Sequence, residues 1–198
     1  VERGDGVKTS PLKGKLGLRA ADTGMVFLDG VRVPKDRVLG KEGGGFRIAL
    51  STLDTGRISL AAGAVGLMQR ALDLSLAYAG ERKQFGKPIA QFQLVQEHLA
   101  AMKLDLEAAR LLTYRAAWKK VKGEPYTLEA SLAKLFASEA ANRVAYRAIQ
   151  VHGGYGFFEE YEVARLYRDA RILTLYEGTS EVQKLIIGAH LTGVRAFA

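Results

Sequence analysis

The run from Phe92 to Ala116, FQLVQEHLAAMKLDLEAARLLTYRA, repeats its apolar residues at steps of three and four: Phe92, Val95, Leu99, Met102, Leu106, Ala109, Thr113 and Ala116. That spacing lines one face of a long α-helix in the manner of a bundle. Lys119, Lys120 and Lys122 complement the negative end of the helix dipole, and Gly123 ends it. Downstream, Thr127 is placed to cap a second helix with apolar positions Leu128, Leu132, Leu135, Phe136, Val144 and Ile149, stopped by Gly153-Gly154. A shorter helical piece covers Tyr161 to Arg171, and a last helix runs from Thr179 to Leu191. Long helices joined by short turns make antiparallel neighbours, so the expected fold class is mainly α, an up-and-down helix bundle.

Upstream, the sequence from Phe46 to Ala79 is helix-permissive, with a break expected at the Asp54-Thr55-Gly56-Arg57 step. Gly63 and Gly66 each cost a helix about 1 kcal/mol relative to alanine, so they are expected to admit another backbone or a ligand. Arg82 to Pro88 reads as a polar turn. Residues 1–42 have a different texture: Met25–Leu28 and Val31–Val33 read as short strands joined by the hairpin dipeptide Asp29-Gly30, and Pro34 stops the second. An isolated hairpin is marginal in water, so these strands are expected to be the tail of a larger sheet. The chain therefore divides into residues 1–42, the end of a β domain, and residues 43–198, a helical bundle. It opens Val-Glu-Arg with no initiator Met, which reads as a piece of something longer.

Composition narrows the chemistry. The 198 residues are 48% hydrophobic and 25% charged, enough to bury one substantial core and unlike a disordered chain. There is no cysteine, which removes disulfides, thiolate zinc sites and thiol catalysis and fits a reducing compartment. His98, His152 and His190 lie far apart with no ligand spacing, so no metal site is expected. A net charge of +8 permits attraction to nucleic acid, an anionic membrane or a phosphate-rich ligand and selects none of them. The basic residues are spread along helices, as on a solvated face. No apolar stretch approaches the roughly 20 residues of a membrane span.

The chemistry concentrates in Tyr176-Glu177-Gly178-Thr179-Ser180-Glu181. Thr179 or Ser180 can cap the helix that continues through Val182, Leu185 and Ile186, because a side-chain oxygen satisfies a first-turn amide. Glu177 then lies just outside a helix N-terminus, after the apolar run Ile172, Leu173, Leu175 and Tyr176. On these six residues alone it is either an acid facing the helix dipole or a desolvated carboxylate suited to proton abstraction. The glycine clusters Gly43–Gly45 and Gly153-Gly154-Tyr155-Gly156 follow no strand in a βαβ setting, which argues against a dinucleotide fingerprint. Each alone reads as a hinge or a cap.

Taken in order, the motifs resemble one family along essentially the whole chain. Asp54-Thr55-Gly56-Arg57, Glu81-Arg82-Lys83-Gln84-Phe85-Gly86-Lys87-Pro88-Ile89 with Phe92-Gln93, Gln150-Val151-His152-Gly153-Gly154-Tyr155-Gly156, Arg168-Asp169-Ala170 and the 176–181 hexapeptide look like the C-terminal half of an FAD-dependent acyl-CoA dehydrogenase. Leu16-Gly17-Leu18-Arg19-Ala20 and Val31-Arg32-Val33-Pro34 resemble the end of that family's middle β domain.

The resemblance implies α,β-dehydrogenation of a saturated acyl-CoA to the trans-2-enoyl-CoA. Glu177 would remove the α-proton while flavin N5 takes the β-hydride, since no side chain can accept a hydride. The backbone N–H of Glu177 would polarise the thioester carbonyl, and Gly178 would leave room for the substrate. Asp54, Thr55, Gly56 and Arg57 match a segment that meets acyl-CoA. Arg82, Phe85 and Gln93 match FAD contacts made across a subunit interface, and Gln150, Val151, His152, Gly153, Gly154, Thr179, Ser180 and Glu181 match further FAD-contacting segments. Some branches of the family carry the glutamate near the position of Gly56 and lack it in the later motif; this chain has Glu177 and Gly56. A homotetramer, an electron-transfer flavoprotein as acceptor, and a cytoplasmic location in a bacterium or the mitochondrial matrix in a eukaryote follow from the same resemblance, as does the expectation that the fragment by itself is inactive. An acyl-CoA oxidase, a non-catalytic oligomerisation bundle and a nucleic-acid-binding member of the fold remain alternatives, nucleic acid being disfavoured; a nitroalkane-oxidising relative would carry aspartate as the base.

Overall fold

The computed structural model describes residues 4–196, which fall into two compact units meeting between Thr52 and Leu53. In the first, strands β1 (Val7–Pro11) and β2 (Gly24–Leu28) pair antiparallel, with Val7 opposite Leu28 and Pro11 opposite Gly24. The expected hairpin across Asp29-Gly30 does not form, and Val31–Val33 is not a strand. The Asp29 N–H is already committed backwards to Gly6 O at 2.8 Å, and Gly30 turns the chain away from the ladder in a left-handed conformation. Met25, Val26, Phe27 and Leu28 of β2 are all exposed.

Helix α1 (Gly45–Glu81) runs unbroken through the Asp54–Arg57 step where an interruption was expected. From Leu53 onward it belongs to the second unit with the hairpin strands β3 (Lys83–Gln84) and β4 (Lys87–Pro88) and helices α2 (Gln93–Val121), α3 (Thr127–His152), α4 (Glu162–Ala170) and α5 (Ser180–Thr192). The polar turn at residues 82–88 is thus a two-residue hairpin, with Phe85 and Gly86 both left-handed at its tip as such tight turns require. Gly63 and Gly66 are exposed, and nothing in the chain lies within 4 Å of where their side chains would begin.

The anticipated α2 face is the buried one: Met102, Leu106, Ala109, Thr113 and Ala116 are covered. On α3 the buried stripe is made of small residues, Ala130, Ala133, Ala137, Ala140, Ala141, Ala145 and Ala148 with Val144, while Leu128, Leu132, Leu135 and Phe136 are only half-buried. Small side chains let backbones approach, and α2 and α3 make the most extensive backbone contact in the unit. Leu60, Ala64, Met68 and Leu72 of α1 and Val163, Leu166 and Ala170 of α4 complete the core. Glu129, buried near the start of α3, ties the two closest helices through Lys119 Nζ at 2.7 Å and Arg115 at 3.4 Å. Burial pushes its carboxyl up, but the Lys119 bond, a backbone hydrogen bond and the two cations together hold it below the usual range. Thr127 does not cap α3; that position is Tyr126, and the Thr127 hydroxyl instead donates to Asp54 Oδ2 at 2.6 Å.

Candidate active site

The turn between α4 and α5 is built from two left-handed residues in succession, Glu177 at φ +60° and Gly178 at φ +86°. Thr179 then caps α5, its hydroxyl accepting from the Val182 N–H. A non-glycine residue adopts φ near +60° at a cost, so the surroundings must hold it there. They do so through carbonyl oxygens. Glu177 O accepts from Arg57 Nε at 3.3 Å and Gln183 Nε2 at 3.1 Å; Gly178 O accepts from Gln183 Nε2 at 3.1 Å and Lys134 Nζ at 2.7 Å. Arg57, Lys134 and Gln183 are all buried, from α1, α3 and α5 respectively.

This geometry directs the Glu177 carboxylate onto α1. A side chain built at Gly56 would place its Cβ 2.5 Å from Glu177 Oε2 and 2.9 Å from Oε1, so the glycine is what admits the acid. Oε2 is buried with no hydrogen-bond partner among the described residues. A buried carboxylate oxygen left unpaired is a costly arrangement that packing alone does not favour. At Gly178 a Cβ would meet Gln183 Nε2 at 2.7 Å, so within the chain this glycine makes room for the amide that holds the turn.

Of Asp54, Thr55, Gly56 and Arg57 on one turn of α1, Gly56 and Arg57 meet the Glu177 turn. Asp54 accepts from Arg57 Nη1 at 2.7 Å and from Thr127, and Thr55 shares a hydrogen bond with the Tyr126 hydroxyl at 3.0 Å. Ser180 and Glu181 sit at the first turn of α5, where Ser180 Oγ donates to Glu139 Oε1 at 2.6 Å and Glu181 is exposed.

The remaining sequence candidates gather elsewhere. Arg82, Gln150, Val151, His152, Gly153 and Gly154 line one cleft of about 440 Å³ that includes none of residues 176–181. His152 stacks on Tyr78 at 4.3 Å and shares a hydrogen bond with Ala148 O at 2.8 Å. Burial pushes its pKa down, which favours the neutral ring. Arg82 lies over the Tyr155 ring and pairs with no carboxylate among the described residues, and beside Gly153 and Gly154 there is open space. A free cation, an aromatic face and bare glycine backbone suit a phosphate-bearing dinucleotide. Phe85 stands 92% exposed at the hairpin tip, edge-on to Phe92, and Gln93 is exposed at the first residue of α2. Neither lines the cleft.

Lys134 and Gln183 were not singled out by the sequence reading. Lys134 did carry a signal: at the spacing of Ala130, Ala137 and Ala141 it is a cation on a stripe of small residues. Among the described residues no group of metal-ligating side chains forms, and no helix is long and apolar enough to cross a membrane.

A family profile for the C-terminal domain of acyl-CoA dehydrogenases matches residues 43–192. The chain belongs to the acyl-CoA dehydrogenase family. It is 51% identical over 183 residues to a probable acyl-CoA dehydrogenase of Bacillus subtilis, covering 92% of this chain and 48% of that protein. It is 50% identical over 177 residues to the mitochondrial short-chain specific acyl-CoA dehydrogenase of Bos taurus, covering 89% and 43%. The solved structure of butyryl-CoA dehydrogenase from Megasphaera elsdenii superposes with a TM-score of 0.93 at 46% identity, over 94% of this chain and 49% of that one. The chain thus spans about half the length of the acyl-CoA dehydrogenases it matches, and the mainly helical bundle with short strands ahead of it is the family's C-terminal fold.

Proposed function

We propose that this chain supplies the catalytic base and part of the cofactor surface of an FAD-dependent acyl-CoA dehydrogenase that converts a saturated acyl-CoA to its trans-2-enoyl-CoA. The observation that carries the reading is the Glu177 carboxylate, seated against Gly56 with one buried oxygen unpartnered. Glu177 takes the α-proton; the electrons of that C–H bond form the new double bond as a hydride leaves the β-carbon. FAD, when bound, supplies the acceptor for that hydride, which no side chain of the chain can provide.

The chain's own residues do the positioning. Arg57 and Gln183 fix the Glu177 backbone, and the N–H of Glu177 would polarise a thioester carbonyl, which acidifies the α-carbon. Gly56 keeps the approach to the carboxylate open. The cleft of Arg82 and Gln150–Gly154 would hold the pyrophosphate and adenosine part of FAD, and Thr179–Glu181 would meet flavin from the α5 N-terminus. That the cleft includes no residue of the Glu177 turn supports an arrangement in which it serves the flavin of a second subunit. The exposed apolar strand β2 supports reading residues 1–42 as the end of a larger β domain. Short-chain acyl-CoA substrates are the finer reading, supported by the roughly 50% identity to the short-chain specific bovine relative. A homotetramer that passes electrons to an electron-transfer flavoprotein belongs to the same proposal and rests on the family resemblance.

The test is Glu177→Gln in the flavoenzyme that carries this chain. Loss of a general base costs about 10²–10⁴-fold, so turnover of butyryl-CoA should fall by at least that much while the flavin spectrum is retained. Near-normal turnover would end the assignment, and oxygen consumption stoichiometric with turnover would make the enzyme an oxidase.

A further inference from the structure

Among the described residues Lys134 is the bulkiest side chain with no solvent exposure. Among those residues its ammonium pairs with no carboxylate; its hydrogen bond is to a backbone oxygen, Gly178 O, at 2.7 Å. A methionine would fill the same volume without desolvating a charge, and buried ions are commonly replaced by apolar residues without loss of stability. Core packing therefore does not explain the lysine. What it touches does. The Gly178 carbonyl follows directly on Glu177, and among the described residues it is held from two sides, by Lys134 and by the neutral amide of Gln183.

We propose that Lys134 is a positioning residue for the base: its ammonium grips the Gly178 carbonyl and so fixes the left-handed Glu177-Gly178 turn that lays the Glu177 carboxylate against Gly56. The role rests on the reading of Glu177 as the base. A charge-assisted bond is roughly twice as strong as a neutral one, so the grip depends on the lysine being protonated. The charged groups facing it are Arg57 from α1, Glu139 from its own helix, Glu177 from the turn and Glu181 from α5. Burial and then Arg57 push its pKa down to about 8, against the pull of the three carboxylates. The charge that holds the turn is therefore lost in an ordinary assay range, whereas an exposed lysine would keep it.

The experiment uses the full flavoenzyme with Lys134→Met, which removes charge and donor, and Lys134→Gln, which keeps a donor without charge. Hydrogen exchange of the peptide spanning residues 175–181 is measured alongside kcat, KM and their pH dependence. Lys134→Met should exchange that peptide faster and lose about 100-fold in kcat, the scale of a misplacement near 1 Å, with KM within about threefold of the parent because the acyl-CoA contacts stay. Lys134→Gln should recover part of kcat. The parent should lose turnover as pH rises through about 8, and both variants should lack that limb. Should Lys134→Met fail to fold, Lys134→Gln carries the same exchange and pH measurements. Unchanged exchange of 175–181, or kcat within twofold of the parent with the alkaline limb intact, overturns the proposal. If the parent turns over no acyl-CoA and yet Lys134→Met loosens the turn, the dehydrogenase reading fails and the grip on the turn stands.

Discussion

Gly56 sits inside α1, where glycine costs a helix about 1 kcal/mol relative to alanine. The structure shows what that cost secures, because the space a methyl group would fill contains the Glu177 carboxylate. Gly56→Ala should therefore separate stability from activity. The helix should gain up to about 1 kcal/mol, since the atoms in the way are the far end of a flexible side chain, while turnover falls at least tenfold as the displaced carboxylate leaves its line of approach, on the order of the losses that small misplacements cause. Thermal unfolding and steady-state rates on the same preparation check this; undiminished turnover would mean that the carboxylate has room to spare. The sequence made half of this legible. The Thr179 cap and the position of Glu177 just ahead of α5 can be read from six consecutive residues, whereas the meeting of Gly56 with Glu177 joins a position inside α1 to one in the turn ahead of α5, and no local pattern announces it. The same holds for Gln183 and Lys134, whose importance lies in a backbone oxygen they reach across the bundle.

Helix α3 shows why apolar periodicity found the element but not the small residues that line its inner face. Its leucines follow helical spacing, but α3 is packed by α2, α4 and α5 together, and close approach on several sides selects alanine for the inner positions and leaves Leu128, Leu132 and Leu135 half-covered. α2, with fewer neighbours, showed its buried face plainly. Such a stripe has no space to spare. Ala140 is fully covered, so Ala140→Leu should destabilise the bundle by about 1–3 kcal/mol through overpacking. A urea midpoint no lower than the parent's would show instead that α2 and α3 can part without loss. At the other end of the chain the error had a different origin: Asp29-Gly30 is a strong hairpin signal, yet β2 pairs upstream with Val7–Pro11, whose Lys, Thr and Ser mask it as a strand. α1 was expected to break at Asp54–Arg57, and the ion pair Asp54–Arg57 with the Thr127 hydrogen bond instead ties that turn into the bundle.

For the molecule as a whole, the ionisable groups held in or near the core set a direction for stability against pH. Glu129 and Glu162 lie below their usual range, Glu162 chiefly through Arg70, which donates to it at 2.9 and 2.6 Å. A carboxyl depressed in the fold contributes stability that is present above its unfolded pKa and disappears as pH falls through the folded value. His152 works in the same direction by the opposite route. Burial lowers its pKa, so below about 6.5 the unfolded chain takes up a proton that the folded one refuses, and stability falls from that point downward. Acid loss should therefore begin near neutrality with His152 and steepen where the carboxylates titrate. The measurement is Tm from pH 7.5 down to 4.5 at saturating FAD, in the parent and in His152→Gln. The variant should stay flat between about pH 7 and 5.5, a range that lies above the usual carboxylate values, and then fall with the parent; a parent curve flat to pH 5 would mean that the imidazole is protonated in place, with the cleft around Tyr78 and Gly153 opening to let it. Lys134 works in the same direction at high pH. Because its folded pKa of about 8 lies below the unfolded value of 10.5, the unfolded chain binds the extra proton between them, and this group makes the fold more stable as pH rises. The Tm of Lys134→Met minus that of the parent should shrink from pH 8 to 10, over the same range in which the parent loses turnover. An alkaline decline in activity would then coincide with a parent that is gaining on its variant in stability, which unfolding cannot produce and loss of the charge on Lys134 can.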